Sequence, residues 1–86
     1  MAERKYRCRH DIVASILTSI IELDRPIISN IALRSNLPLD RARGILRSME
    51  EAGLIYYDSA SREYSMTDRG YEWLAVYRVL EEIYKP

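Results

Sequence analysis

Eighty-six residues, 48% hydrophobic and 30% charged, suit one small folded domain and exclude a disordered chain, which is less apolar and more unevenly charged. Thirteen basic and thirteen acidic residues leave a net charge of zero, which taken alone argues against nucleic acid, because phosphate binding needs positive charge. The single cysteine, Cys8, excludes a disulfide framework within the chain, and no apolar run reaches the ~18–20 residues that span a bilayer.

The start of the chain, Ala2-Glu3-Arg4-Lys5-Tyr6-Arg7, has no apolar signal core beside it, so the expected location is the cytoplasm. Residues 1–9 read as a basic, flexible arm carrying Arg4, Lys5, Arg7 and Arg9, with Cys8 semi-buried where the first helix begins. Ile12, Val13, Ile16, Leu17, Ile20 and Ile21 then recur at the spacing of one helix face. Asp11 suits the positive end of that helix, and Asp24-Arg25-Pro26 ends it.

A short second helix is expected from Ser29 or Asn30, both good capping residues, with Ile31, Ala32 and Leu33 turned inward. It stops at Asn36-Leu37-Pro38, because Asn tolerates the left-handed conformation and a residue before proline leaves the helix. The third helix spans residues 39–52, with Leu39, Ala42, Ile45, Leu46 and Met49 inward and Gly53 as its stop. After Gly53 the period changes from 3.6 to 2. Residues 54–58 and 63–67 read as two strands of a hairpin, joined by the polar turn Asp58-Ser59-Ala60-Ser61-Arg62. Thr67 caps a fourth helix over residues 68–84.

The fold class is therefore mainly α with one small hairpin, in a single domain over residues 1–86. Three helices form the core, the hairpin projects as a wing, and the fourth helix follows. Two short helices joined by a tight turn, with a hairpin straight after the second, form the winged variant of the helix-turn-helix.

Charge is unevenly placed along this order. Residues 1–49 hold nine Lys/Arg against five Asp/Glu, a balance of +4, and residues 50–86 hold four against eight, a balance of −4. A basic front half suits a nucleic-acid face and an acidic back half a face turned elsewhere. On the third helix the side opposite the core carries Asp40, Gly44, Arg47 and, further along, Glu51, with Arg41 and Arg43 flanking it. Arginine can bond a guanine edge with two parallel donors or bind phosphate, and Gly44 lets the backbone approach a base or sugar. Asp40 stabilises the helix start and could accept from a cytosine amino group. Arg34 is expected on the phosphate backbone, and the wing-tip Arg62 on the backbone or in the minor groove. The same ridge also fits a plain solvated helix face, and both readings stand at this point.

Several stretches resemble the small archaeal winged helix-turn-helix regulators. They are Lys5-Tyr6-Arg7, Asp11-Ile12-Val13-Ala14-Ser15-Ile16-Leu17, Ser35-Asn36-Leu37, Gly53-Leu54-Ile55-Tyr56-Tyr57 and Tyr64-Ser65-Met66-Thr67-Asp68-Arg69-Gly70. The last is similar to that family's Tyr-x-Leu-Thr-x-x-Gly, with Met66 in the Leu place. Pro38 stands where the family often has a Ser or Thr cap. The resemblance implies a double-stranded DNA-binding transcriptional regulator, often dimeric, with the third helix as reader and the hairpin as wing. The other function class that fits is a winged-helix protein-interaction module in a larger complex.

The fourth helix bears on dimerisation. Trp73, Tyr77, Leu80 and Tyr84 share a face with Gly70, while Leu74, Val76, Val79 and Ile83 spread apolar surface beyond one stripe. These eight residues are the expected interface of a homodimer formed through that helix. An enzyme is not expected. His10 is the only histidine, carboxylate pairs such as Glu50-Glu51 point about 100° apart on a helix, and three glycines make no phosphate loop. One His and one Cys make no zinc site of the usual kind, and no cofactor is implied.

Overall fold

In a computed structural model, described over residues 8–85, the elements run α1 (Arg9–Glu22), α2 (Ile28–Arg34), α3 (Leu39–Glu51), β1 (Ile55–Asp58), β2 (Glu63–Met66) and α4 (Asp68–Ile83). This is the expected order. Residues 1–7 of the expected basic arm lie outside the described residues. The arm does not extend to residue 9, because Arg9 already belongs to α1. Cys8 is the N-cap of α1 and is exposed rather than semi-buried.

The core forms where the apolar stripes of α1, α2 and α3 converge. Ile16, Leu17, Ile31, Ala42 and Leu46 have no exposed surface, and each buried Ile or Leu is worth roughly 1.5–3 kcal/mol over leaving it in water. Ile45, Met49, Leu54, Ile55 and Leu74 extend this core toward the hairpin and α4. One polar pair is enclosed as well. Ser19 Oγ donates to Ser15 O at 2.8 Å and lies 3.3 Å from Ser35 Oγ, joining α1 to the end of α2.

Two tight turns set the angle of α3. At the end of α2, Asn36 takes φ 58° while its N–H bonds Leu33 O and the Leu37 N–H bonds Ala32 O. At the end of α3, Gly53 takes φ 81° while its N–H bonds Glu50 O and the Leu54 N–H bonds Met49 O. Both are Schellman caps, in which a left-handed residue lets two orphan helix carbonyls find donors.

One expected cap and three expected inward residues are corrected. The N-cap of α2 is Ile27, not Ser29 or Asn30. Ile27 O accepts from the Ile31 N–H, and the Asn30 side chain instead donates to Arg25 O at 3.0 Å. Leu33 is 81% exposed, because so short a helix turns only Ile31 and Ala32 into the core. Leu39 is 44% exposed, standing one turn ahead of the first fully buried residue of α3, Ala42. Ile21 is 44% exposed, being rotated about 100° from the buried Ile20.

Thr67 caps α4 as expected, its Oγ1 accepting from the Gly70 N–H at 3.0 Å and donating to Gly53 O at 2.6 Å. Arg69 Nη1 donates to Ala52 O at 3.1 Å. The Thr-x-x-Gly stretch thus fastens α4 to the end of α3. The other attachment lies in the first turn of α1, where Tyr77 Oη donates to Asp11 Oδ1. Asp11 Oδ2 also accepts from the Cys8 N–H at 3.4 Å.

The Tyr77 bond holds the Asp11 carboxyl below its usual range and raises the Tyr77 phenol well above its own. A depressed carboxylate stabilises above its unfolded value and loses that effect as pH falls through the folded one. A raised phenol stabilises below its unfolded value and loses the effect as pH rises. Wild type should therefore melt above Tyr77→Phe between about pH 4 and about pH 10, with the difference closing outside that window. Paired melts across pH check this; a pH-independent difference would mean that the hydrogen bond contributes nothing.

Candidate nucleic-acid interface

Outside its buried stripe, α3 is bare. Asp40, Arg41, Arg43, Gly44, Arg47, Ser48, Glu50 and Glu51 are all exposed, and a Cβ built on Gly44 meets nothing within 4 Å. Among the described residues, Arg41, Arg43 and Arg47 make no ion pair. The helical turn divides them. Arg43 and Arg47 are four residues apart and line one shallow depression with Glu50, Ile28 and the hairpin tyrosines Tyr57 and Tyr64. Arg41 projects from the far flank, about 160° around the helix from Arg43.

The hairpin forms the other wall of that depression. Its strands pair antiparallel, with Ile55 opposite Met66, Tyr57 opposite Tyr64 and Asp58 opposite Glu63. Ile55 and Tyr64 are buried, and the Tyr57 ring leans on Tyr64 with centroids 4.9 Å apart. Burial pushes the Tyr64 phenol up and Glu50 adds to this, while Arg43 and Arg47 pull it back. The Asp58 side chain organises the turn, accepting from the Ala60 N–H and from Ser61 Oγ, each at 3.0 Å. Arg62 is exposed at the tip and takes φ 63°, where a side chain is uncommon.

Arg34 stands apart from these residues. Its guanidinium ion-pairs with Glu22, and it lines a depression with Thr18, Leu74 and Arg78 rather than with residues of α3. A residue the sequence reading passed over is Arg25, whose Nε donates to Glu63 Oε2 at 3.1 Å. No periodic signal marks it, since its partner lies 38 residues away.

On α4 the eight expected interface residues separate. Leu74 is buried in the core, and so is unavailable to a partner. Trp73 and Tyr77 are half-buried against the core and stack on each other with centroids 5.6 Å apart. Leu80 and Tyr84 do not share their burial, being 60% and 72% exposed. Together with Val76, Val79 and Ile83 they form an exposed apolar surface along the second half of α4 and its C-cap, beyond the last buried residue of the helix, Leu74.

The family model described as winged helix-turn-helix matches residues 6–85, a span that takes in every element above. The chain belongs to the winged helix-turn-helix family. No curated protein matches it. In this family's terms α2 and α3 are the helix-turn-helix pair and the hairpin is the wing, and membership points to DNA as the partner. Pro38 fills the N-cap of the winged helix-turn-helix's α3 without a side-chain bond, its backbone already extended at φ −59° and ψ 146°. Among the described residues no helix is long and apolar enough to cross a membrane.

Proposed function

We propose that this protein is a sequence-specific, double-stranded DNA-binding transcriptional regulator that acts as a homodimer, in keeping with its resemblance to small archaeal regulators. Helix α3 lies in the major groove, with Arg43 and Arg47 on base edges or phosphates and Gly44 allowing close approach. Arg41 meets the backbone on the far flank, Asp40 stands at the helix start within reach of a cytosine amino group, and the wing tip places Arg62 on the backbone or in the minor groove. Arg34, exposed and paired with Glu22, stays a candidate for the phosphate backbone, because a pair this exposed is readily exchanged. The observation that carries the reading is the row of exposed arginines on α3 with no acidic partner among the described residues. The three acids of α3 stand at its two ends (Asp40, Glu50 and Glu51), which leaves Arg41, Arg43 and Arg47 as the charges of its middle, beside the wing. The site of action on this reading is the cytoplasm, and the role is binding rather than catalysis.

Titration of a fluorescent duplex at several salt concentrations tests the reading. Affinity should fall steeply as salt rises, because each phosphate contact releases counterions. Absence of binding to any duplex at low salt would favour the protein-interaction module instead.

The exposed stripe of Val76, Val79, Leu80, Ile83 and Tyr84 supports pairing of two α4 helices, which would present two copies of α3 to a palindromic site. Size-exclusion chromatography with light scattering should give the mass of two chains. Leu80→Glu with Ile83→Glu should return the mass of one chain while leaving the melting temperature of the monomer fold in place. A single-chain mass for wild type across micromolar concentrations would rule the dimer out.

A further inference from the structure

Arg62 is the only basic residue of the wing, and it lies between Asp58 and Glu63. Alone, that segment carries a net charge of −1, a poor probe for phosphate. The structure changes this balance through a residue outside the hairpin. Arg25, in the loop between α1 and α2, reaches both sides of Arg62. Its Nε donates to the Glu63 carboxylate at 3.1 Å, and its Nη2 donates to the Ser61 carbonyl at 3.3 Å. One guanidinium therefore holds the groups immediately before and after Arg62.

The loop that presents Arg25 is itself held. Arg25 O accepts from Asn30 Nδ2 at 3.0 Å and from the Ile27 N–H at 2.9 Å. Pro26 O accepts from the Tyr64 N–H at 2.9 Å, one residue beyond Glu63. Within the turn, the Arg62 N–H bonds Asp58 O at 2.7 Å and the Glu63 N–H bonds Ser61 Oγ at 3.3 Å. The wing tip is thus tied to the α1–α2 loop by a backbone bond and a forked side-chain contact. Arg62 is left exposed in a left-handed conformation, with no ion pair among the described residues.

We infer that Arg25 is a positioning residue of the DNA-binding wing: it neutralises Glu63 and fixes the Ser61–Arg62 peptide so that Arg62 meets a phosphate. This rests on the DNA-binding reading above. Stability gives no competing reason for the contact, since an ion pair this exposed (62% on the Arg25 side chain) is worth about 0–1 kcal/mol at most.

The test compares duplex affinity across salt for wild type, Arg25→Gln, Arg62→Ala, the two combined, and Arg25→Gln with Glu63→Gln. The probe is a fluorescent duplex pool of mixed sequence. Arg25→Gln should weaken binding about fivefold to tenfold and lower the salt slope by about one, as Arg62→Ala does. The combination should be no weaker than Arg62→Ala alone, because Arg25 acts through Arg62. Adding Glu63→Gln to Arg25→Gln should recover part of the loss, since the bare carboxylate is then gone. A merely structural role would move the melting temperature and leave the salt slope unchanged. Losses that multiply, with the slope falling by about two, would overturn the proposal and make Arg25 a phosphate contact itself. Arg25→Gln binding like wild type, while α3 variants still lose affinity, would overturn it and leave the DNA reading intact. Wild type that binds no duplex would overturn both.

Discussion

Arg43→Glu combined with Arg47→Glu is expected to abolish duplex binding at moderate salt while leaving the fold in place. The two guanidinium groups lie on the wing-facing side of α3, in the same depression as Tyr57 and Tyr64, and neither has an acidic partner among the described residues. Removing a base or phosphate contact of this kind costs about 1–3 kcal/mol each, and reversal adds repulsion, so a loss of about 100-fold or more is expected. The salt slope should fall by about two if both contact phosphate. The expected effect on stability is small, because both side chains are exposed; new like-charge neighbours along the helix should cost only a few tenths of a kcal/mol. A melting curve for the double variant separates the two effects. If it melts with wild type and still binds DNA with wild-type affinity and salt slope, α3 is not the reading element. Arg43→Gln with Arg47→Gln should fall between, losing the contacts without the repulsion.

That prediction uses residues visible in the sequence; others were not. Periodicity located the buried faces of α1 and α3, because Ile12, Ile16, Leu17 and Ile20, and likewise Ala42, Ile45, Leu46 and Met49, are local patterns with one solution. Thr67 and Gly53 were legible for the same reason: a cap and a left-handed stop are chemistry within one turn of the chain. Leu33 and Leu39 were misjudged because a pattern reports which residues are apolar and not which surfaces are covered. A seven-residue helix can bury only one narrow edge.

Contacts between distant polar residues were not legible at all. Arg25 with Glu63, Asp11 with Tyr77 and Arg34 with Glu22 join different elements, from 12 to 66 residues apart, and such pairs carry no period. They matter here because they redistribute charge. Glu22 offsets the charge of Arg34 at the end of α2, whereas Arg25 offsets Glu63 beside the wing tip. The +4 balance of the front half is therefore not spread evenly over one face. Among the described residues Arg41, Arg43 and Arg47 of α3 carry part of it without an ion pair, and Arg62 of the back half stands likewise at the wing tip.

Two glycine-to-alanine changes should move stability in opposite directions. Alanine gains roughly 1 kcal/mol of helix propensity over glycine in a helix interior, and both Gly44 and Gly70 lie within helices. At Gly44 a new Cβ meets nothing within 4 Å, so Gly44→Ala should stabilise by about the propensity gain. At Gly70 the new Cβ would lie 2.1 Å from Leu54 O, 3.2 Å from the Leu54 carbonyl carbon and 3.3 Å from the Met66 methyl. The methionine can turn aside; the Leu54 backbone cannot do so freely. Its N–H closes the cap of α3 on Met49 O, and its carbonyl accepts from the Thr67 N–H at 3.2 Å. Moving it disturbs the end of α3, the base of the wing and the start of α4 together. Overpacking against a backbone so held should cost about 3 kcal/mol or more, which outweighs the propensity gain. For a domain of this size that corresponds to a fall in Tm of very roughly 10–20 °C, at about 4–8 °C per kcal/mol for the net loss. Thermal melts of both variants check the contrast. A Gly70→Ala protein as stable as wild type would show that α4 can sit further from Leu54, and the close approach would then not be what selects glycine at that position.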